Sequence, residues 1–171
     1  MNIIYSKRCL DYGYPQSIIY ENSDRVKNAK KHLKDIGYRF IEPDPAEESD
    51  LLKVHSIEYF ESIKNGEFRD EDTPAWEGIY ELARLSAGGA ILASEINGFS
   101  LMRPPGHHVG RNGPALGADS MGFCYFNNVA IAIRHLNKST LIIDIDSHHG
   151  NGTQELFQND NRVVYLSLHR D

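Results

Sequence analysis

A chain of 171 residues is long enough for one domain with a real core and short for two. Its 18 Lys and Arg against 24 Asp and Glu give a formal charge of −6, which argues against a nucleic-acid partner and only weakly toward cationic ones. Cys9 and Cys124 build no disulfide framework and suit a reducing compartment. No apolar run nears the roughly 20 residues that span a bilayer, and the opening MNIIYSKRC is too briefly apolar for a signal peptide, so the expectation is a cytoplasmic α/β protein with no membrane partner.

In chain order, NIIY (2–5) is the first β-type run. Ser23 and Asp24 can cap a helix over about 25–35, with Gly37 as its stop. YRFIE (38–42) reads as a second strand and 56–65 as a shorter helix. Over 76–96 the apolar positions Ile79, Leu82, Ala83, Ala87, Ala90 and Ile91 recur at helical spacing, and Gly88-Gly89 inside that helix predicts close packing on a sheet. FSLMR (99–103) is a strand, 127–136 a helix, LIIDID (141–146) a strand, 153–157 a short helix and VVYLSLH (163–169) the last strand. Strands alternating with helices imply βαβ units and a parallel sheet. The continuous apolar run at 141–143 fits a strand covered on both faces. The segment 103–126 is rich in Gly and Pro and has no periodicity. Loops of that length in compact domains are functional or disordered, and His107 and His108 within it favour function.

Costly polar groups gather at IDIDSHHGNG (143–152). Open parallel sheets bind ligands beyond the carboxyl ends of their strands, where Asp144 and Asp146 stand. Period-two alternation sends both toward one face, and His148 can continue that direction. A carboxylate and an imidazole two residues apart can share one divalent ion, and the mixed O/N set suits zinc or ferrous iron better than magnesium. Gly150 and Gly152 let the backbone turn sharply there. The plainer reading of an Asp-x-His alone is surface hydrogen bonding, and of adjacent histidines a solvated accident. His32, His135 and His169 have no comparable setting and read as surface or packing residues.

Four stretches occur in order: RPPGHH (103–108), GFCYFNNVAIA (122–132), DIDSHHGNGTQ (144–154) and YLSLHR (165–170). With DTPAWEGIY (72–80) and the Gly88-Gly89 helix upstream, they resemble the N-terminal part of the histone deacetylase superfamily, which includes acetylpolyamine amidohydrolases and bacterial acetoin-utilisation proteins. The resemblance runs from about Ser23 to the last residue. It implies a three-layer arginase/deacetylase-like α/β fold, a single domain over 1–171, whose mainly parallel sheet is incomplete at the C-terminal side. The implied function is a zinc-dependent amidohydrolase that removes acetyl groups from acetyl-lysine or acetylated small amines, with Zn²⁺ (or Fe²⁺) held by Asp146 and His148.

By the same resemblance, His108 matches the main general base and later acid, and His107 a histidine giving electrostatic help. Asp144 and Asn151 match their orienting partners. Many members carry an aspartate where Asn151 stands, and a neutral amide holds the ring without raising its basicity. Gly122 and Phe123 match the wall of a narrow substrate tunnel, although Phe123 can also be read as core packing. Asp72 matches an acidic rim residue that grips substrate, and Arg25 an internal arginine on the product side. A potassium ion is implied near Asp144, Asp146, His148, Ser167 and Leu168, and a second around Phe157, Asp160 and Val163. His149 reads as a packed support.

Two parts of the family pattern have no counterpart. A third metal ligand, an aspartate further downstream, is missing, and Asp171 lies in the wrong motif context to replace it. No tyrosine stands in the motif that stabilises the oxyanion. The sequence therefore reads as a truncated chain, as one that a homodimer mate or second chain completes, or as a non-catalyst. Beside the deacetylase stand two alternatives: a non-catalytic deacetylase-like interaction module, and a related metallohydrolase of another small amide.

Overall fold

The computed structural model describes residues 1–10 and 21–170; Asp171 lies outside them. Strand β1 (Asn2–Ile4) lies between β2 (Arg39–Ile41) and β3 (Phe99–Ser100), both parallel to it. Helix α1 (Asp24–Asp35) precedes β2. Its cap differs from the expectation. Ser23 is itself in helical conformation and makes no side-chain cap bond, while Asn22 Oδ1 accepts the Asp24 N–H at 3.0 Å, a job an amide oxygen does as well as a hydroxyl. A single turn not foreseen, α2 (Glu48–Leu51), leads to α3 (Ile57–Asn65), where Ser56 Oγ accepts the Tyr59 N–H and Gly66, at φ 68°, closes the helix.

Helix α4 (Ile79–Ile96) packs on β1 and β3. A Cβ on Gly89 would lie 2.6 Å from Met102 Cγ and 3.4 Å from Ile4 Cγ2, whereas one on Gly88 would meet the Asp44 carbonyl at 1.9 Å. The glycine pair thus splits its work: Gly89 faces the sheet, and Gly88 admits the segment after β2. Helix α5 (Asn128–Leu136) packs along α4 with Ala130, Ile131, Ala132 and Ile133 buried. Each isoleucine so buried is worth about 1.5–3 kcal/mol. Asn127 caps α5 by accepting the Ala130 N–H at 3.1 Å. The core continues through Phe60, Tyr125 and Phe126, all essentially buried.

Strand β6 (Thr140–Asp144) runs parallel to β7 (Val163–Ser167) on either side of α6 (Asn151–Phe157), in a register from Thr140↔Val163 to Asp144↔Ser167. The fold is α/β with mostly parallel strands. These strands pair in two groups, β2-β1-β3 and β6-β7, and a short antiparallel pair lies inside the 103–126 segment. That pair is β4 (Val109–Gly110) with β5 (Gly113–Pro114). A cleft of about 500 Å³ separates β3 from β6, with Ser100 and Met102 on one side and Ile142 and Ile143 on the other. Strand β6 is not covered on both faces as its apolar run predicts. Ile142 is 8% exposed, but Leu141 and Ile143 are 58% and 56% exposed, and Val164 and Leu166 lie open beside them. Among the described residues no helix is long and apolar enough to cross a membrane.

Candidate active site

The pleat does not carry the Asp-x-His pair as its alternation suggests, because β6 ends at Asp144. Two side-chain turns take over. Asp144 Oδ1 accepts the Asp146 N–H at 3.1 Å, and Asp146 Oδ1 accepts the His148 N–H at 2.8 Å. Aspartates hold backbone in this way wherever a strand gives out. The other Asp144 oxygen, Oδ2, meets His107 Nδ1 at 2.9 Å and accepts the Tyr165 hydroxyl at 2.9 Å. Tyr165 in turn accepts the Gly150 N–H at 3.1 Å. Partial burial alone would push the Asp144 carboxyl up, but its bonds with His107, the Asp146 N–H and Tyr165 outweigh that and hold it down at about 2. It is ionised at neutral pH. Tyr165 escaped the sequence reading because nothing in VVYLSLH marks one strand tyrosine as polar; its register two residues before Ser167, which pairs with Asp144, is the only hint.

His108 lies against His107, ring centroids 4.1 Å apart. Its Nδ1 meets Asn151 Oδ1 at 2.8 Å, and Asn151 Nδ2 donates to the Ala115 carbonyl at 2.8 Å. A carbonyl can only accept, so the Asn151 NH₂ must face Ala115 and its oxygen must face His108. That oxygen also only accepts. His108 Nδ1 therefore carries the hydrogen, and Nε2 keeps its lone pair. Burial, with the charges of His107 and His148 adding to it and the Asn151 bond opposing, lowers the His108 pKa, so the neutral ring prevails at neutral pH.

Gly150 and Gly152 serve a need beyond the turn predicted for them. Neither has positive φ. A Cβ on Gly150 would lie 2.5 Å from both Asp144 Oδ2 and the Tyr165 hydroxyl, and one on Gly152 would lie 2.3 Å from the Val109 carbonyl carbon. The chain does turn sharply at Gly150, where the Asn151 N–H donates to the His149 carbonyl at 2.9 Å, but what demands glycine at both positions is close approach. The residue that does need its backbone freedom is Gly122, at φ 54°, where a Cβ would fall 2.4 Å from His108 Cδ2. Phe123 follows at φ 67°, an uncommon conformation for a bulky side chain. Its N–H is held by the buried Thr73 hydroxyl at 2.9 Å. Phe123 is half-buried and lines the cleft, so it is not a core residue. Asp72 lines the same cleft, accepting the Thr73 and Ser120 hydroxyls at 2.9 Å each.

This second cleft, about 550 Å³, brings together Arg25, Asp72, His107, His108, Gly122, Phe123, Asp146, His148 and Asn151. Arg25 reaches Glu21 at 3.3 Å, and Arg103, also on the cleft wall, grips the same carboxylate through two bonds. Glu21 is fully buried; no motif flagged it. Ser167 and Leu168 lie off the cleft, on β7 and just beyond it. Ser167 pairs with Asp144 and meets His169 at 2.8 Å, and the Leu168 N–H donates to the Asp144 carbonyl. Around the second potassium candidate, the Asp160 carboxylate is held by Arg134 and Arg162, and the Phe157 and Asp160 carbonyls accept backbone N–H groups. His149 is half-buried, bonded to Gln154 and packed on His169. His135 bridges Asp50 and Glu95 on the surface.

Asp146 and His148 are half-exposed, 3.2 Å apart, with His107 Nε2 4.0 Å from Asp146. They offer an oxygen and a nitrogen of the kinds zinc accepts. Among the described residues no group of three or more such donors is arranged to hold a metal ion, so the pair fits zinc in chemistry and falls short in number.

A family model described as the histone deacetylase domain matches residues 19–171. The chain belongs to the histone deacetylase family. Among relatives of this deacetylase-family chain, a Methanothermobacter thermautotrophicus protein described as a probable deacetylase is 42% identical over 168 residues, covering 88% of this chain and 49% of its own length. A histone deacetylase-like amidohydrolase of Pseudomonas aeruginosa is 37% identical over 179 residues, covering 92% and 46%. The crystal structure of the HDA15 HD domain matches with a TM-score of 0.85 at 31% identity, over 99% of this chain and 52% of that one. This deacetylase-family chain thus spans about half the length of these relatives.

Proposed function

We propose that this chain supplies the general-base half of a zinc-dependent deacetylase acting on acetyl-lysine or acetylated small amines, in the cytoplasm. The observation that carries the reading is the lone pair on His108 Nε2, forced by the Asn151–Ala115 arrangement and turned into a cleft shared with Asp146 and His148. A divalent ion held there, zinc or ferrous iron, would polarise the amide carbonyl and lower the pKa of a water. His108 accepts the water's proton at Nε2, and the same nitrogen later returns it to the leaving amine. Asn151 holds the Nδ1–H throughout without adding charge. Asp144, ionised beside His107, fixes that ring and offers it a counter-charge. Gly122 and Phe123 form the wall along which an acylated chain lies, Asp72 stands at its rim, and Arg25 is on the product side. Potassium, near Asp144, Asp146, His148, Ser167 and Leu168, has a structural role in this reading, and so does a second ion around Phe157, Asp160 and Val163. Oxygen-rich surroundings suit such a hard cation.

A second reading is a non-catalytic module of the same fold, which would keep the cleft and the Asp146–His148 pair without turnover. An acetyl-lysine peptide assay with added zinc separates the two. Turnover that disappears in His108→Ala supports the deacetylase. Turnover equal in wild type and His108→Ala overturns the assignment of the base, whereas none in either is expected of a chain with two metal donors and does not by itself favour the module. An acetylpolyamine or another small amide turned over in place of the peptide redirects the substrate class.

A further inference from the structure

The sequence reading assigns no role to Glu155, yet it bonds to the backbone on both sides of Ala115, whose carbonyl holds the Asn151 amide. It projects from α6, one helical turn after Asn151, so the two side chains share a face. Glu155 Oε1 accepts the Arg111 N–H at 3.0 Å, and Oε2 accepts the Leu116 N–H at 3.3 Å. Its carboxylate spans the tip of the antiparallel pair 109–114 and the turn after it. That turn needs holding. Gly113, Leu116 and Gly117 all have positive φ, and the left-handed conformation is unfavourable for a non-glycine residue such as Leu116. Ala115, fully buried, lies between the two clamped points. Its carbonyl is the acceptor that decides which way the Asn151 amide faces.

We propose that Glu155 is a positioning residue for His108. It fixes the Ala115 carbonyl, the carbonyl fixes the Asn151 amide, and the amide fixes the hydrogen on His108 Nδ1. Gly110 makes room for the clamp, since a Cβ there would lie 2.1 Å from Glu155 Oε1. Without the clamp, the turn gains freedom and Ala115 no longer selects one amide orientation. A flipped Asn151 presents its NH₂ to Nδ1 and drives the hydrogen to Nε2, where the ring cannot accept a proton from the cleft. The catalytic consequence rests on the deacetylase reading, but the positioning itself does not and can be read without turnover.

The test is long-range ¹H–¹⁵N correlation of histidine-labelled, chelator-treated chain at pH 7.5, with amide hydrogen exchange at Arg111 and Leu116. Wild type is expected to give His108 a protonated Nδ1 and an unprotonated Nε2, with both amides slow to exchange. In Glu155→Ala, both amides are expected to exchange faster and the two His108 nitrogen shifts to converge. Glu155→Gln keeps one accepting oxygen and is expected to fall between. Faster exchange with an unchanged His108 tautomer would reduce Glu155 to a structural clamp and overturn the proposal. So would a wild-type His108 protonated on Nε2. If Glu155→Ala does not fold, Glu155→Gln is judged by the same two readouts.

Discussion

His55 is a buried group whose protonation the fold does not accommodate. It is 1% exposed, with Nδ1 2.9 Å from the Gly110 carbonyl and Nε2 accepting the Asn127 N–H at 3.0 Å. The carbonyl requires hydrogen on Nδ1 and the N–H requires a lone pair on Nε2, so only the neutral ring satisfies both. Burial drives its pKa down to about 4, with the Arg111 charge assisting and the Gly110 carbonyl opposing. The unfolded chain, titrating near 6.5, binds the proton more readily. Stability from His55 is therefore complete above pH 6.5 and is lost as pH falls from 6.5 toward 4. At about 1.4 kcal/mol per unit, that window is worth roughly 3 kcal/mol. Urea unfolding between pH 7.5 and 4.5 measures it, beside His55→Gln, which removes the titration. Wild type should lose about 3 kcal/mol more than the variant across the window, although the variant starts lower. His108, shifted in the same direction, contributes equally to both chains and cancels. Parallel pH profiles for the two would refute the reasoning.

Gly122→Ala combines a left-handed penalty of about 1–2 kcal/mol with overpacking of about 1–3 kcal/mol against His108. A loss of about 2–5 kcal/mol in denaturant titration is expected, with the His108 resonances displaced. The open aliphatic face of Leu141, Ile143, Ile145, Val164, Leu166 and Leu168 should drive self-association; Ile143→Lys with Leu166→Lys should shift sedimentation velocity toward monomer. Zinc should bind weakly, because two protein donors leave half of a tetrahedral shell to water. Dialysis should remove it, and retention of stoichiometric zinc by His148→Ala would contradict the donor pair.

The longer helices were legible because their signals are local: 56–65 lies within one residue of α3, and the apolar spacing read over 76–96 is borne out in the buried face of α4, while the single turn α2 and the Asn22 cap of α1 were missed. The strand ends were not. A pattern of alternation carries on through LIIDID, whereas the pleat stops where the Asp144 side chain captures the Asp146 N–H, an event set by one rotamer. The histidine pair and its two partners could be placed from motifs, since those residues are costly to bury and stand in a fixed order. Glu155, Tyr165, Thr73 and Glu21 could not, because each acts on backbone or side chains remote in sequence. The separation of β3 from β6 was equally invisible, as strand pairing depends on contacts across the whole chain.

The central claim is that the cleft bounded by His107, His108, Gly122 and Phe123 receives an acylated amine. Titrating an acetyl-lysine peptide into ¹⁵N-labelled chain with zinc present tests it directly, whether or not turnover follows. The account predicts saturable shift changes concentrated at Gly122, Phe123 and the two histidines, weakened in Phe123→Ala and absent with the unacetylated peptide. Changes clustered elsewhere, or identical responses to the acetylated and unacetylated peptides, would contradict it.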